Sequence, residues 1–147
     1  MAYKKLLIMM IVSFVIMYSV MFLNVDSASH IYISLTRTYM SLLMVLPMAI
    51  MMILFMGKMY PNQKVNTGII VVAVLLFGIS LTCLRTQSPI GDIQYMKAMI
   101  PHHSSAIMTS RNADIRDPEV KSLSEQIIKS QEEEIKQMKI MIARLEK

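Results

Sequence analysis

Three stretches of the chain are apolar and free of charge, and the remainder alternates apolar and polar positions at helical spacing. The first stretch is 6–23, "LLIMMIVSFVIMYSVMFL", the second 40–56, "MSLLMVLPMAIMMILFM", and the third 68–84, "GIIVVAVLLFGISLTCL". Each is about the length a helix needs to cross a ~30 Å hydrocarbon layer. Transmembrane helices are therefore predicted over about 6–23, 38–57 and 68–84, making 1–86 a membrane domain. The first run is longer than the apolar core of a signal peptide and has no small-x-small cleavage pattern before Asn24, so it is read as a retained span. From Asp92 the pattern changes. Ile93, Met96, Met99/Ile100, His103 and Ala106/Ile107 recur at steps of three and four, which predicts a helix over about 92–112. A second helix over about 118–146 follows from Asp117 as cap, Pro118 in the first turn and Glu119 at the positive end of the helix dipole. Its stripe is Val120, Leu123, Ile127/Ile128, Ile135, Met138, Ile142 and Leu145. The expected fold is all-α: three transmembrane helices, then an antiparallel helical hairpin over 87–147.

Charge sets the orientation. Lys4 and Lys5 flank the first span, and Lys58 and Lys64 sit between the second and third, whereas Arg37 and Arg85 stand alone at the other ends. By the excess of basic residues on the cytoplasmic side, the N-terminus and the second loop face the cytoplasm of the cell membrane. Three crossings then place the C-terminal hairpin outside. Six basic residues before residue 87 face one acid, Asp26, while nine Lys/Arg balance nine Asp/Glu from Gln87 onward. A neutral tail has no basic face for phosphate backbones, which excludes nucleic-acid binding. Cys83 is the single cysteine, so no intrachain disulfide forms. Alone, a two-helix hairpin of this size buries too little surface for stability. It is expected to form a homodimer, completing a four-helix bundle, or to lie against the membrane domain.

The chemistry concentrates in "YMKAMIPHHSSAIM", residues 95–108, which holds two of the three histidines. Met99 and His103 are four apart, Met99 and His102 three apart, and Met96 and Met99 three apart, so these side chains share a helix face. Imidazole suits copper, zinc and nickel, and thioether favours Cu(I). Packing methionines and a hydrogen-bonded interface histidine explain the same pattern without a metal. With the hairpin turn centred near Ile115, Met99 falls level with Gln131 and Met96 with Glu134, and His102 and His103 lie opposite Ile127 and Ile128. Catalysis has no positive signal. There is no His-Glu-x-x-His, neither tandem histidine has a Glu three residues before it, and no glycine-rich phosphate loop exists. Ten of the seventeen methionines lie in the first two spans, with Met40, Met44, Met48, Met52 and Met56 in one row. That row reads as a thioether path or as adaptable packing at helix contacts.

The run Asp92-x-x-x-Met96-x-x-Met99-Ile100-Pro101-His102-His103-x-x-Ala106, followed by Asp117-Pro118-Glu119-Val120 and Ile127-x-x-x-Gln131-x-x-Glu134-Ile135-x-x-Met138, resembles the family called domain of unknown function 305. The likeness covers about 90–146 and does not extend to the three-span anchor. It implies a ferritin-like helical bundle associated with copper, and Met96, Met99, His102, His103, Glu134 and Met138 as the metal-ligand positions. Longer members carry two such hairpins where this chain has one. The expectation is thus a non-enzymatic, membrane-anchored, extracytoplasmic protein that binds a copper ion, Cu(I) or Cu(II), with zinc as the second candidate. It would sequester the metal, confer tolerance or deliver it to a metal-transport partner. The alternative is a helical interaction module that dimerises or docks onto a partner membrane protein.

Overall fold

The computed structural model describes residues 2–147. They form an all-helical chain with no strand among the described residues. The helices are α1 (Ala2–Val20), α2 (Leu35–Phe55), α3 (Gln63–Thr86), α4 (Asp92–Asn112) and α5 (Pro118–Leu145), with single 3-10 turns at Ala28–His30 and Gly57–Met59. α1, α2 and α3 are each long and apolar enough to cross a membrane. The chain divides into two compact units. One holds Met1–Met21 and Thr36–Pro89; the other holds Phe22–Leu35 and Ile90–Lys147.

The membrane unit is tied at both ends by polar groups. At one end the Tyr3 hydroxyl donates to Asn66 Oδ1 (2.9 Å) and accepts the Asn62 N–H (3.1 Å). Asn66 Nδ2 donates in turn to the Tyr60 carbonyl (2.8 Å). Asn62 also caps α3, its side chain accepting from the N–H groups of Lys64 and Val65. Leu6, Ile53 and Tyr60 form the apolar cluster beneath, with Met10 and Met52 packed against it. At the other end the Arg37 guanidinium donates to the Met21 carbonyl (2.6 Å), and the Tyr39 hydroxyl donates to the Ser88 carbonyl (3.0 Å). α3 stops at Gln87, whose φ of 51° takes the left-handed conformation of a helix C-cap. The methionine row of α2 is divided: Met52 joins the cluster, while Met40, Met44 and Met56 are over 40% exposed.

In the hairpin unit, α4 and α5 close over Met96, Ile100, Ile107, Ile135 and Ile142, with Tyr32, Ile128 and Met138 packed against them. Tyr32 comes from the segment between α1 and α2. That segment, Phe22–Leu35, is the third piece of the unit. It is fastened to α4 residue by residue. Asn24 Nδ2 donates to Ser105 Oγ (2.8 Å), the Asp26 N–H donates to Ser104 Oγ (2.8 Å), and the Leu35 N–H donates to Gln94 Oε1 (3.1 Å). Arg111 grips the Asp26 carboxylate through both oxygens (2.7 and 2.8 Å) and also bonds Glu132 on α5.

Local sequence explains the helix limits. Asp117 Oδ1 accepts from the N–H groups of Glu119 and Val120, and Pro118 occupies the first helical position, where a missing N–H costs nothing. α4 runs unbroken through Pro101, whose ring is fully buried.

Ile100 has no exposed surface and sits in the centre of the hairpin core. Ile100→Ala is expected to cost about 2–5 kcal/mol, whereas Ile140→Ala, at a 62% exposed position, should stay within about 0.5 kcal/mol. Denaturant unfolding of the full chain, followed by helical circular dichroism, measures both.

Candidate metal centre

The register of the hairpin decides which residues meet. His103 and Glu134 face each other: His103 Nδ1 lies 3.2 Å from Glu134 Oε2. This corrects the expectation that His103 stands opposite Ile127 and Met96 opposite Glu134. Near the loop, Ser124 Oγ donates to the Ser110 carbonyl (3.2 Å); at the far end Lys97 Nζ reaches Glu146 Oε1 (2.6 Å). The cause lies in the linker. Ala113 and Asp117 are extended (ψ 135° and 127°), so the chain runs on past the end of α4 before α5 begins. α5 therefore overshoots α4 by about one turn at the loop end.

Burial divides the six candidate ligand positions. His103 is 9% exposed, whereas His102 points outward and is exposed. The two rings are 6.2 Å apart and tilted by 55°. Met96, 6% exposed, belongs to the apolar core, and Met138 packs against that core. Met99, one turn before His103 on α4, is half-buried. The structure thus brings His103 and Glu134 together and sets Met96 and Met138 in the packing beside them. His102 is separated to the surface.

Two features of the pair bear on its chemistry. Glu134 is held from behind, since Ser130 Oγ, one turn earlier on α5, donates to Oε1 (2.8 Å) and leaves Oε2 toward His103. Sequence patterning passed over Ser130, although a serine four residues before a buried-face glutamate was the available signal. His103 Nδ1, for its part, is buried with no hydrogen-bond partner. Glu134 Oε2 is within ion-pair distance but not where a ring N–H would donate a normal bond. Burial pushes the His103 pKa below 6.5; Glu134 opposes that shift and His102 adds to it. The ring is neutral at pH 7, the form that offers a nitrogen lone pair.

A nitrogen and an oxygen 3.2 Å apart also fit two corners of a coordination tetrahedron, whose edge is about 3.3 Å for the usual zinc bond lengths. No group of three or more His, Cys, Asp or Glu side chains gathers among the described residues. A fuller shell would have to draw on thioether sulfur, with Met99 and Met138 each four residues from a member of the pair, or on water. His30 is held elsewhere, its Nδ1 2.9 Å from the buried Ser104 Oγ. Its pKa is also lowered, by burial first and then by Lys139, with Asp26 opposing. His30 is thus part of the docking contact between the α1–α2 segment and α4.

Three helices fit to cross a membrane, joined to a two-helix unit with a histidine–carboxylate pair at its interface, define an all-helical, membrane-associated class of protein. The chain belongs to the family described as Domain of unknown function (DUF305), whose model matches residues 79–142, that is, the last turns of α3, all of α4 and most of α5. It is also similar to "Uncharacterized protein L153" of Acanthamoeba polyphaga mimivirus, 37% identical over 138 residues that cover 92% of this chain and 89% of the relative. That coverage leaves too few residues outside the match to omit either unit. No solved structure matches the chain.

The lowered pKa values fix a direction for pH dependence. With folded-state values below 6.5 for His103 and His30, the unfolded chain takes up protons first on acidification. Their contribution is complete above pH 6.5 and is lost as pH falls through the window beneath it. Thermal unfolding of the full chain from about pH 7.5 down to pH 5 should show falling stability, with a shallower slope in His103→Gln. An unchanged slope would contradict the assignment of His103.

Proposed function

We propose that this is a membrane-anchored metal-binding protein whose hairpin unit takes copper from the extracytoplasmic side and holds or hands on the ion. The carrying observation is the buried, unpartnered Nδ1 of His103 beside the Ser130-oriented carboxylate of Glu134. A buried polar atom without a partner is costly, and a cation between the two groups would relieve that cost while neutralising the carboxylate. Imidazole with nearby thioether favours copper over harder ions. In this reading His103 and Glu134 are the inner donors and Met99 and Met138 supply sulfur. Met96 shapes the apolar wall, and His102 is an outer capture point. A ferritin-like bundle, formed by pairing with a second copy, remains part of the proposal. The same-side placement of the α1–α2 segment and the hairpin draws support from their shared compact unit. Segments in one folded unit must be separated by an even number of crossings, which α2 and α3 provide. The lysine bias then puts that side outside the cytoplasm.

A second reading, a helical interaction module, is favoured by the apolar row Val120, Leu123 and Ile127 on α5, of which the first two are more than half exposed.

One experiment separates them. The full chain in detergent is titrated with Cu(I), Cu(II) and Zn(II) against competing chelators. His103→Ala and Glu134→Gln should each weaken copper binding at least about tenfold, and His102→Ala should weaken it less. Absence of copper binding, or affinity untouched in the double variant, sinks the metal reading and leaves the interaction module.

A further inference from the structure

The membrane unit carries a second feature that the hairpin does not explain. Its two segments, Met1–Met21 and Thr36–Pro89, contain six Lys/Arg and no Asp or Glu. Four of the six are gathered at one end. Lys4 and Lys5 follow Tyr3, Lys58 precedes Tyr60, and Lys64 follows Asn62. Tyr3 is bonded to Asn62 and Asn66 (3.1 and 2.9 Å), and its ring lies 5.4 Å from that of Tyr60. The hydrogen bonds that close the unit thereby draw lysines from three separate places in the chain to one rim. All four side chains are exposed, and none makes an ion pair among the described residues.

We infer that this rim is a docking surface for anionic phospholipid headgroups. Three observations identify the occupant. The charge is concentrated where α1 and α3 both begin, so the positive ends of two helix dipoles point the same way. Tyr3, partly exposed beside the lysines and backed by the buried Tyr60, is an amphipathic ring of the kind that settles at headgroup depth. With no carboxylate in the unit, neutralisation has to come from outside it. At the margin of a span the available anions are lipid phosphates, and basic clusters of this size attract them. The opposite end differs: its Arg37 is already engaged with the Met21 carbonyl, and only Arg85 adds to it. This inference stands independently of the metal reading.

The test uses the full chain in lipid nanodiscs containing phosphatidylcholine and phosphatidylglycerol. Lipids retained through purification are counted by native mass spectrometry. The wild type should hold phosphatidylglycerol over phosphatidylcholine by at least about tenfold, with the preference falling as salt rises. The combined Lys4→Gln, Lys5→Gln, Lys58→Gln and Lys64→Gln variant should lose it. The four matching Lys→Arg changes should keep it, and Arg85→Gln should leave it unaltered. A wild type without preference, or a glutamine variant that retains it, overturns the inference. So does competition by inorganic phosphate alone, which would make free phosphate the ligand. If the glutamine variant fails to fold, the wild-type salt series decides: a preference indifferent to salt is equally fatal.

Discussion

The hairpin unit depends on one buried hydroxyl. Ser104 has no exposed surface, and its Oγ accepts the Asp26 N–H while meeting His30 Nδ1. A larger residue there would hold the α1–α2 segment off the helix. With serine the segment comes to hydrogen-bond distance, and its backbone polar group finds a partner inside the unit. Two helices of this length share a core too small to be secure by themselves. Tyr32, delivered by the docked segment, adds an aromatic side chain to that core. The clasp therefore covers part of that core along one face. It also joins pieces of chain on either side of α2 and α3, so the fold of the hairpin and the threading of the spans constrain each other.

Much of the helical architecture was legible because it is written in local signals. The apolar runs have the length of a span, and Asp117-Pro118-Glu119 marks a helix start by capping chemistry that the structure contains at 2.9 and 3.0 Å. The docking of Phe22–Leu35 was not legible, for a physical reason. "FLNVDSASHIYISL" has no periodicity of its own, and its partners Ser104, Ser105 and Arg111 are some eighty residues away. Contacts of that kind leave no trace in a window of neighbouring residues. The run Ser104-Ser105-Ala106 was a faint sign, since three small side chains in succession on a helix let another backbone come close.

The site was legible by residue type and illegible by register. His103 and Glu134 are both named by the sequence as ligand positions, but placing them opposite each other required knowing how far the linker overshoots. That depends on the backbone of Ala113 and Asp117, which composition does not specify. The methionines separate on the same ground. Spacing puts Met96, Met99 and His103 on one face of α4, yet only burial shows that Met96 is absorbed into the core with Ile100 and Ile135. The difference between His102 and His103 is likewise one of depth: adjacent in sequence, they sit about a hundred degrees apart around the helix. One is exposed and the other loses most of its water.

Electrostatics separates the two units as clearly as hydropathy does. The chain's net charge of +5 resolves into six uncompensated cations in the membrane unit and, with nine basic and ten acidic residues, a net of −1 in the hairpin unit. The hairpin neutralises itself internally: Lys97 pairs with Glu146, Arg111 with Asp26 and Glu132, and Arg116 with Asp114. Pairs this exposed contribute little to stability, but they leave no strong field around the His103–Glu134 pair. At that pair a single carboxylate faces an imidazole whose pKa burial lowers. The membrane unit follows the opposite rule. It lacks internal counter-charge, so its cations act on whatever lies at the bilayer margin. Two units with separate polar closures, one self-neutralised and one not, can each keep its own chemistry although the chain passes between them three times.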